Sequence, residues 1–335
     1  MYSYYFNQLG IGIEGLALGQ LADLELGPTD VRIKVHACSL NRRDLRILEG
    51  LYPIAARVGL VPLSDGAGEV LAVGQDVQRF KVGDRVAATY FPLWSSGRFS
   101  MQYAVKQLGC TINGMLAPFA IAHEDAVVNV PPHLSFEEAA TLPCAALTAW
   151  CALLGPRPIL PGETVLTIGT GGVALFAVQF AKMFGARVIS ITSADDKAER
   201  LKQLGADEVV NYRSNPQWEL LVRVLTGGRG VTHVVETGAL DTLSKSISCT
   251  AEEGVVSIVA ALGQGNIDAR VFSNPIVVRR VYVGSRSHFE AMNSAITEHN
   301  MRPIIAQIFS FADAIKAYRY FEAGNQIGKV VITCA

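Results

Sequence analysis

The sequence predicts an α/β protein of two domains. Residues 1–130 are rich in strand-like runs broken by Gly, Asp and Pro, such as VRIKVHAC and GAGEVLAVG. From Glu163 onward, short β-branched runs alternate with helix-like stretches, a pattern typical of βαβ units on a parallel sheet. A length of 335 residues also suits two domains better than one.

The N-terminal region should form an antiparallel β domain from the runs VRIKVHAC, GAGEVLAVG and DRVAATY. After the VPP at 130–132 the pattern changes to a helical one. Ser135 and Glu138 have the spacing of a capping box, which predicts the start of an Ala-rich helix. A helical boundary segment is therefore expected where this region ends.

The second region should form a doubly wound parallel sheet with right-handed crossovers. The predicted strands are ETVLTIG, ARVISIT, EVVNY, THVVETG and GVVSIVAAL, and the predicted helices are VALFAVQFAKMFG, KAERLKQLG, PQWELLVRVLTGG and LDTLSKSI. After VYVGS we expect helices near 288–299 and in DAIKAYRYFEAG. The last strand, GKVVITC, is assigned back to the first domain. The predicted domains are therefore 1–145 with 285–335, and 146–284.

Charge and composition favour a small-molecule partner. The net charge of -1 means that the chain has no excess of positive charge to attract nucleic acid or an anionic membrane. The sequence shows neither a secretory signal nor about 18 consecutive apolar residues, so a soluble chain without a membrane partner is expected. The six cysteines are scattered without a CxxC pair, which favours reduced thiols and a cytoplasmic location.

A glycine turn between a strand and a helix predicts dinucleotide binding. Gly169, Gly171 and Ala174 form G-x-G-x-x-A. The first glycine permits the tight turn, the second allows a pyrophosphate to approach the backbone, and Ala174 lets helix and strand pack closely. Gly172 and Val173 begin the helix, whose free N–H groups favour an anion. Such turns also occur without nucleotides, but the strand and helix on either side favour the cofactor site. A Walker A site is excluded because no Lys-Ser/Thr follows.

The end of the second strand, ISITSADDK, favours NADPH over NADH. An NAD site would carry Asp or Glu about 20 residues after the glycines, whereas this chain has Thr192. The hydroxyls of Thr192 and Ser193, together with Lys197, are candidates to bind a 2′-phosphate. The alternative is that Lys197 is a solvated helix residue. Asp195 and Asp196 are expected in the cap of the next helix.

Seven segments occur in an order that resembles a known superfamily. They are VHACSLNRRDLRILEGLYP, VPLSDGAGEVLAVGQDVQRFKVGDRV, LSFEEAATLPCAALTAW, GTGGVA, KAERLKQLGADEVVNYR, TGGRGVTHVVETG and GKVVI. Together they resemble the medium-chain dehydrogenase/reductase superfamily, in its zinc-free quinone oxidoreductase-like group. The resemblance implies a GroES-like β domain built from both chain ends, with a Rossmann domain inserted. A homodimer is also expected.

The resemblance bears on metal binding as well. Zinc enzymes of the superfamily use a Cys, a His and a second Cys, and the matching positions here are Asn41, Ser64 and Cys144. Asn and Ser side chains cannot replace thiolate and imidazole as Zn²⁺ ligands, so no catalytic metal is expected. The structural four-cysteine lobe is missing too, since 90–130 contains only Cys110. Cys144 is interpreted as a small buried residue.

Without a metal, the chemistry reduces to hydride delivery from a nicotinamide plus a proton from a side chain or water. In the enoyl reductases that the chain resembles, a Tyr two residues after a Gly donates this proton, and Gly50 and Tyr52 match that pattern. Tyr52 is thus a candidate proton donor or, alternatively, a wall of the pocket. Asn41 and Asp44 are expected to shape the pocket.

Further cofactor contacts are implied by the resemblance. Arg42 is a candidate for the pyrophosphate, although relatives usually have Tyr there, and it is alternatively a surface residue. Tyr212 matches a residue near the adenosine phosphate, with packing at a strand end as the alternative, and Thr148 is a further cofactor candidate. The substrate pocket is only loosely specified, by Tyr52, Tyr90, Trp94 and His288.

Three functions are compatible with these residues. The leading hypothesis is an NADPH-dependent reductase of an α,β-unsaturated carbonyl or a quinone. The second is a zinc-free ketone or aldehyde reductase on the same scaffold. The third is a noncatalytic NADPH-binding protein, since binding residues do not prove turnover.

Overall fold

A computed structural model describes residues 2–22, 25–259, 266–267 and 273–334. The chain divides into two units, Met1–Leu147 with Gly284–Ala335, and Thr148–Val283. The predicted boundaries, at 145/146 and 284/285, lie close to these. We refer to the two as the first and second units.

The structure assigns these residues to strands and helices. The strands are β1 Tyr2–Phe6, β2 Leu16–Gln20, β3 Asp30–Ser39, β4 Asp65–Val73, β5 Arg85–Ala88, β6 Phe119–His123, β7 Val127–Asn129, β8 Thr164–Ile168, β9 Arg187–Thr192, β10 Glu208–Asn211, β11 Val231–Glu236, β12 Thr250–Ile258, β13 Val277–Arg280, β14 Ile305–Ser310 and β15 Lys329–Thr333. The helices are α1 Arg42–Leu48, α2 Phe136–Ala139, α3 Leu147–Leu153, α4 Gly172–Met183, α5 Asp195–Gln203, α6 Trp218–Leu225, α7 Leu240–Ser248, α8 Arg286–Glu298 and α9 Ala314–Glu322.

The first unit is built on a mainly antiparallel sheet in the order β14-β15-β3-β4-β5-β7, with β6 also paired to β3. The predicted strands and their antiparallel pairing are confirmed. The C-terminal strand β15 pairs antiparallel with β3, with Ile332 opposite Cys38, as the assignment of GKVVITC to this domain predicts. Both ends of the chain therefore contribute to one sheet. The sequence patterns did not predict β1, β2, β6, β7, β14 or α1.

The predicted capping box is present. Ser135 Oγ accepts a hydrogen bond from Glu138 N at 3.2 Å, and Glu138 Oε2 accepts one from Ser135 N at 2.8 Å. The Ala-rich helix is shorter than its composition predicts, because α2 ends at Ala139. A π-helical turn over Leu142–Ala146 follows and leads into α3. Pro143 lies in that turn and has no N–H for a regular helical hydrogen bond.

The second unit contains a parallel sheet in the order β10-β9-β8-β11-β12-β13. This is the doubly wound order of a dinucleotide-binding Rossmann fold. The predicted strands and helices of this region are confirmed, although residues 260–262 of GVVSIVAAL lie outside the described residues. The last strand, β13, ends just before VYVGS. Buried Leu, Ile and Val residues from the strands form the core, with Trp218 and Val222 of α6 packed against them.

No helix in the described parts of the chain is long and apolar enough to cross a membrane.

The two C-terminal helices are confirmed as α8 and α9. Ser285 caps α8, since its Oγ accepts a hydrogen bond from His288 N at 3.3 Å.

Candidate active site

The second unit has a topological switch point between β8 and β11. From β8 the chain runs outward to β9 and β10 on one side, and β11, β12 and β13 lie on the other. Ligands of doubly wound sheets bind outside the carboxyl ends of the strands at such a point. Thr237 Oγ1, just after β11, donates to Ile168 O at the end of β8 at 2.6 Å. This bond ties the two strand ends together beside the glycine turn.

The glycine turn leaves an open cradle at a helix N-terminus. Gly169 has a φ of 82°, in the left-handed region that favours glycine, and its N–H donates to Ile191 O at 2.7 Å. A Cβ added at Gly171 meets no atom within 4 Å. Helix α4 starts at Gly172, so the N–H groups of Gly172 and Val173 belong to the first turn, which has no intrahelical acceptors. These residues fit the pyrophosphate of a dinucleotide.

The residues predicted to bind the 2′ position of the adenosine lie near the ends of β9 and β10. These two strands pair with each other, with Asn211 opposite Thr192. Thr192 is only 1% exposed, whereas Ser193 and Lys197 are partly exposed and Tyr212 is exposed. A phosphate can therefore reach Ser193, Lys197 and Tyr212 more readily than the Thr192 side chain. Asp195 lies in the first turn of α5 and accepts a hydrogen bond from Asn211 Nδ2 at 2.8 Å.

Two other predicted cofactor residues lie in helices. Arg42 is exposed at the first position of α1, and Thr148 is buried in α3. Arg42 lies in the first unit and Thr148 in the second. Their contacts with a cofactor stay predictions.

In the first unit, Tyr52 is part of a hydrogen-bonded network. Its Oη lies 2.9 Å from Tyr90 Oη and donates to Gln107 Oε1 at 3.1 Å. Gln107 Nε2 donates to Ala104 O at 3.0 Å, which fixes the amide with its oxygen towards Tyr52. Because Tyr52 has one proton and uses it on Gln107, Tyr90 must be the donor in the bond between the two phenols.

Arg43 places a buried cation over both phenol rings. Its guanidinium carbon lies 5.2 Å from the Tyr52 ring centroid and 4.6 Å from that of Tyr90. Nη1 donates to Leu108 O at 2.9 Å. Burial raises the pKa of the Tyr90 phenol well above its usual range, and Arg43 opposes that rise. The cation therefore favours a tyrosinate wherever one forms in this pair.

Tyr52 also lines a small apolar cavity. Its volume is about 160 Å³, and its other walls include Leu9, Ile47, Ile54 and Ala56. Tyr52 thus belongs both to an apolar cavity and to a polar network, which its hydroxyl forms with Tyr90 and Gln107.

The positions that match zinc ligands in relatives carry a different polar network. Asn41 Oδ1 accepts from Lys329 Nζ at 2.6 Å, Ser64 Oγ donates to Asp65 Oδ1 at 2.7 Å, and Cys144 N donates to Asp65 Oδ2 at 3.2 Å. Desolvation raises the pKa of the Cys144 thiol. Cys144 is partly exposed rather than fully buried. The absence of catalytic zinc stays a prediction.

Asp44 is a buried carboxyl with an unusual pKa, and we expect Asp44→Asn to change how stability depends on pH. Burial raises its pKa from 3.8 to about 6, with Arg43 opposing the shift. The folded chain thus holds this proton more tightly than the unfolded chain. In acid, the protonated Asp44 side chain stabilises the folded chain. This contribution to the free energy of unfolding, up to about 3 kcal/mol, is lost as the pH rises through about 6.

The Asn variant resembles the protonated carboxyl and should lack that loss. Urea unfolding of both proteins at several pH values between 4.5 and 7.5 should show the variant gaining on the wild type as the pH rises. Parallel stability curves for the two proteins would show that Asp44 is ionised throughout this range.

Comparison with known proteins agrees with this architecture. The family described as alcohol dehydrogenase GroES-like domain matches residues 27–132, and the family described as zinc-binding dehydrogenase matches 172–298. A zinc-type alcohol dehydrogenase-like protein of Schizosaccharomyces pombe is 39% identical over 92% of each chain. The chain belongs to the medium-chain dehydrogenase/reductase superfamily.

Other relatives place it in the quinone oxidoreductase-like group of that superfamily. A quinone oxidoreductase of Pseudomonas aeruginosa is 31% identical over 96% of each chain. The structure of a putative alcohol dehydrogenase of Sinorhizobium meliloti is 33% identical, with a TM-score of 0.93 over 99% of this chain and 98% of that one. An NAD-dependent alcohol dehydrogenase, also 33% identical, has a TM-score of 0.89 over the full length of both chains. This medium-chain dehydrogenase/reductase is therefore an oxidoreductase of a nicotinamide-dependent family.

Sequence reasoning missed several residues of this medium-chain dehydrogenase/reductase. The sequence pointed to Arg42 as a cofactor residue, whereas the neighbouring residue Arg43 is the buried one. It also missed Gln107, Asp65 and Lys329. Lys329 stands in the GKVVI segment that carries the resemblance, so that segment was a usable signal, whereas Gln107 lies in a loop with no distinguishing pattern.

Proposed function

We propose that the chain is a zinc-independent, NADPH-dependent oxidoreductase that delivers hydride to an α,β-unsaturated carbonyl or a quinone. The observation that carries the proposal is the Tyr52–Tyr90 phenol pair beneath the Arg43 guanidinium. It offers a phenol O–H next to residues of an apolar cavity, in a unit where Asn41 and Ser64 supply neither the thiolate nor the imidazole that zinc prefers.

Within this proposal, the second unit binds the cofactor. Gly169, Gly171 and the first turn of α4 hold the pyrophosphate, and Ser193 and Lys197 contact the 2′-phosphate. When bound, the nicotinamide supplies the hydride. The open cradle at Gly171 and the switch-point position support this assignment.

The first unit supplies the proton that the reduced substrate needs. Reduction of an enone at its β-carbon leaves an enolate, whose α-carbon must then be protonated. The Tyr52 O–H breaks its hydrogen bond to Gln107 and donates this proton to the α-carbon. The Tyr90 O–H and the Arg43 cation then stabilise the tyrosinate that remains.

The test is NADPH oxidation with a panel of quinones, enones, ketones and aldehydes. Cofactor deuterated at the transferred position distinguishes the products, because the label enters the β-carbon of a reduced enone but the carbonyl carbon of a reduced ketone. We expect turnover of an enone or a quinone. Turnover of ketones or aldehydes alone would overturn the proposed substrate class.

A second candidate is a zinc-free ketone or aldehyde reductase. It is favoured by relatives named alcohol dehydrogenase, including a Geobacillus stearothermophilus protein 31% identical over 82% of this chain. The deuterium experiment separates it from the first candidate. Tight NADPH binding without reduction of any acceptor would instead favour the third alternative, a noncatalytic NADPH-binding protein.

The proposed cofactor preference predicts that Lys197→Glu weakens NADPH binding about tenfold or more and changes NADH binding little. The variant removes a cation from the 2′-phosphate and adds a repelling charge. Lys202→Glu is the matched control, because Lys202 is exposed later on the same helix α5. Position 197 suits this test better than Thr192, where a carboxylate would be buried.

The measurement is the Kd for each cofactor by fluorescence titration. Equal affinities of the wild type for NADPH and NADH would contradict the preference. Equal effects of the two lysine variants would show that Lys197 does not contact the phosphate. Arg213, exposed beside Tyr212, is then the next cation to replace.

We also propose a homodimer. Among the described strands, β13 ends the strand order of the second unit, and the free backbone groups of an edge strand can pair with a second copy. Light scattering after size-exclusion chromatography measures the mass in solution. A monomer at all concentrations would contradict this proposal. A cytoplasmic location stays a prediction.

A further inference from the structure

Lys329 carries a buried ammonium in the first unit. The residue is 2% exposed and begins β15. Its Nζ donates to Leu40 O at 2.7 Å and to Asn41 Oδ1 at 2.6 Å, and it lies 3.7 Å from Asp65 Oδ2. A charge this deeply buried is costly unless it is paired and hydrogen-bonded, so these partners fix where it lies.

Asp65 extends the network from the other end of this ion pair. It is fully buried, and its two oxygens accept hydrogen bonds from Ser64 Oγ and from Cys144 N. Asn41, Ser64 and Cys144 are the positions that match metal ligands in relatives. The Lys329–Asp65 pair thus contacts all three of them, Asn41 through the ammonium and the other two through the carboxylate.

Asn41 stands at the N-cap of α1, and its backbone oxygen accepts a hydrogen bond from Asp44 N at 3.0 Å. The Asn41 side-chain oxygen is bound to Lys329.

This geometry fixes the orientation of the Asn41 amide. An ammonium has only donors, so the amide oxygen must be the atom that faces it. Asn41 Nδ2 then points elsewhere with both of its N–H groups. It is buried and has no acceptor within the described residues, and Asn41 as a whole is 8% exposed. A buried donor without a partner is costly, which is the expected state of a group that awaits a ligand oxygen.

We propose that Lys329 is a positioning residue that, paired with Asp65, holds the Asn41 amide so that Nδ2 donates to the oxygen of the carbonyl substrate. The inference rests on the proposed function and deepens it, since it assigns the group that binds the substrate oxygen. Negative charge develops on that oxygen when the conjugated double bond or the carbonyl is reduced. A donor aimed in advance at that charge stabilises the transition state more than the ground state.

Four variants test the inference. Asn41→Ala removes the donor. Lys329→Met with Asp65→Asn removes the ion pair together, so that no unpaired buried charge is left to unfold the chain. The third variant combines these changes, and Lys329→Arg keeps the cation. Lys316→Met is the control, because Lys316 lies in the same unit with its side chain 76% exposed.

We expect Asn41→Ala to lower kcat about 100-fold with the Kd for NADPH unchanged. The ion-pair variant should lower kcat by a similar factor, and the combined variant should lose no more than Asn41→Ala alone. Lys329→Arg should recover part of the rate, and Lys316→Met should match the wild type. Losses that multiply in the combined variant would overturn the inference, because Lys329 would then act independently of Asn41.

A second readout does not depend on turnover. In 15N-labelled protein, the side-chain amide signal of Asn41 is identified by its loss in Asn41→Ala. It should shift and exchange faster with solvent in the ion-pair variant. An unchanged signal would overturn the inference even if kcat falls. If the wild type reduces no acceptor, the proposed function fails and this signal alone decides whether Lys329 positions the amide.

Discussion

Replacing Gly171 by Asp should weaken cofactor binding at least about 100-fold without destabilising the fold. Gly171 is the N-cap of α4, with φ of -74° and ψ of 171°, an extended conformation that any residue can adopt. An added Cβ meets no atom within 4 Å. Asp is also a preferred N-cap residue, because its carboxylate accepts N–H groups of the first turn. The melting temperature should therefore stay the same or rise slightly.

The same carboxylate would occupy the space and the donors proposed for the pyrophosphate. Repulsion between unit charges about 4 Å apart near a protein surface is about 4 kcal/mol, so the affinity for NADPH should fall at least about 100-fold. Gly171→Asn is the matched control, since it has the same size and is an equally good N-cap but lacks the charge. It should lose less affinity than the Asp variant. Fluorescence titration and thermal unfolding measure the two effects separately.

If Gly171→Asp binds NADPH as tightly as the wild type, the cradle does not hold the pyrophosphate. If both variants lose affinity equally, bulk rather than charge excludes the cofactor. Loss of the folded structure would contradict the open space found around this residue.

The second unit was largely predictable because its signals are local. The parallel strands β8 and β9 are buried on both faces and appear as short β-branched runs, TVLTI and RVISIT. The left-handed turn at Gly169 requires glycine, so the start of the cofactor site is visible in the sequence. Burial at the end of a strand is not visible in this way. The sequence therefore predicted Thr192 as a phosphate ligand, although its side chain lies inside the protein.

The site in the first unit depends on contacts between distant segments, which local patterns do not encode. Tyr52 reaches Gln107 across 55 residues, and Lys329 reaches Asn41 across 288. Two adjacent arginines begin α1, and only the register of that helix decides that Arg43 is buried while Arg42 is exposed. The resemblance supplied Tyr52 and Asn41 but not the groups that orient them.

Replacing Tyr52 by Phe should lower kcat by about 10² to 10⁴ while leaving NADPH affinity unchanged, which is the expected cost of losing a general acid. The Phe ring can still lie beneath Arg43 and line the apolar cavity. The variant removes only the hydroxyl, with its bonds to Tyr90 and Gln107. A small loss of stability is expected as well, because Tyr90 is buried and loses its acceptor.

Tyr90→Phe separates proton donation from hydrogen bonding to the donor. This variant keeps the Tyr52 proton but removes the O–H that stabilises the resulting tyrosinate, so kcat should fall only about tenfold. Steady-state rates of both variants with the best acceptor, in H₂O and D₂O, measure the difference. If kcat of Tyr52→Phe barely changes, water protonates the product and Tyr52 is a wall of the cavity. If Tyr90→Phe is the more damaging of the two, the proton comes from Tyr90, and the direction deduced from the Gln107 amide is reversed during the reaction.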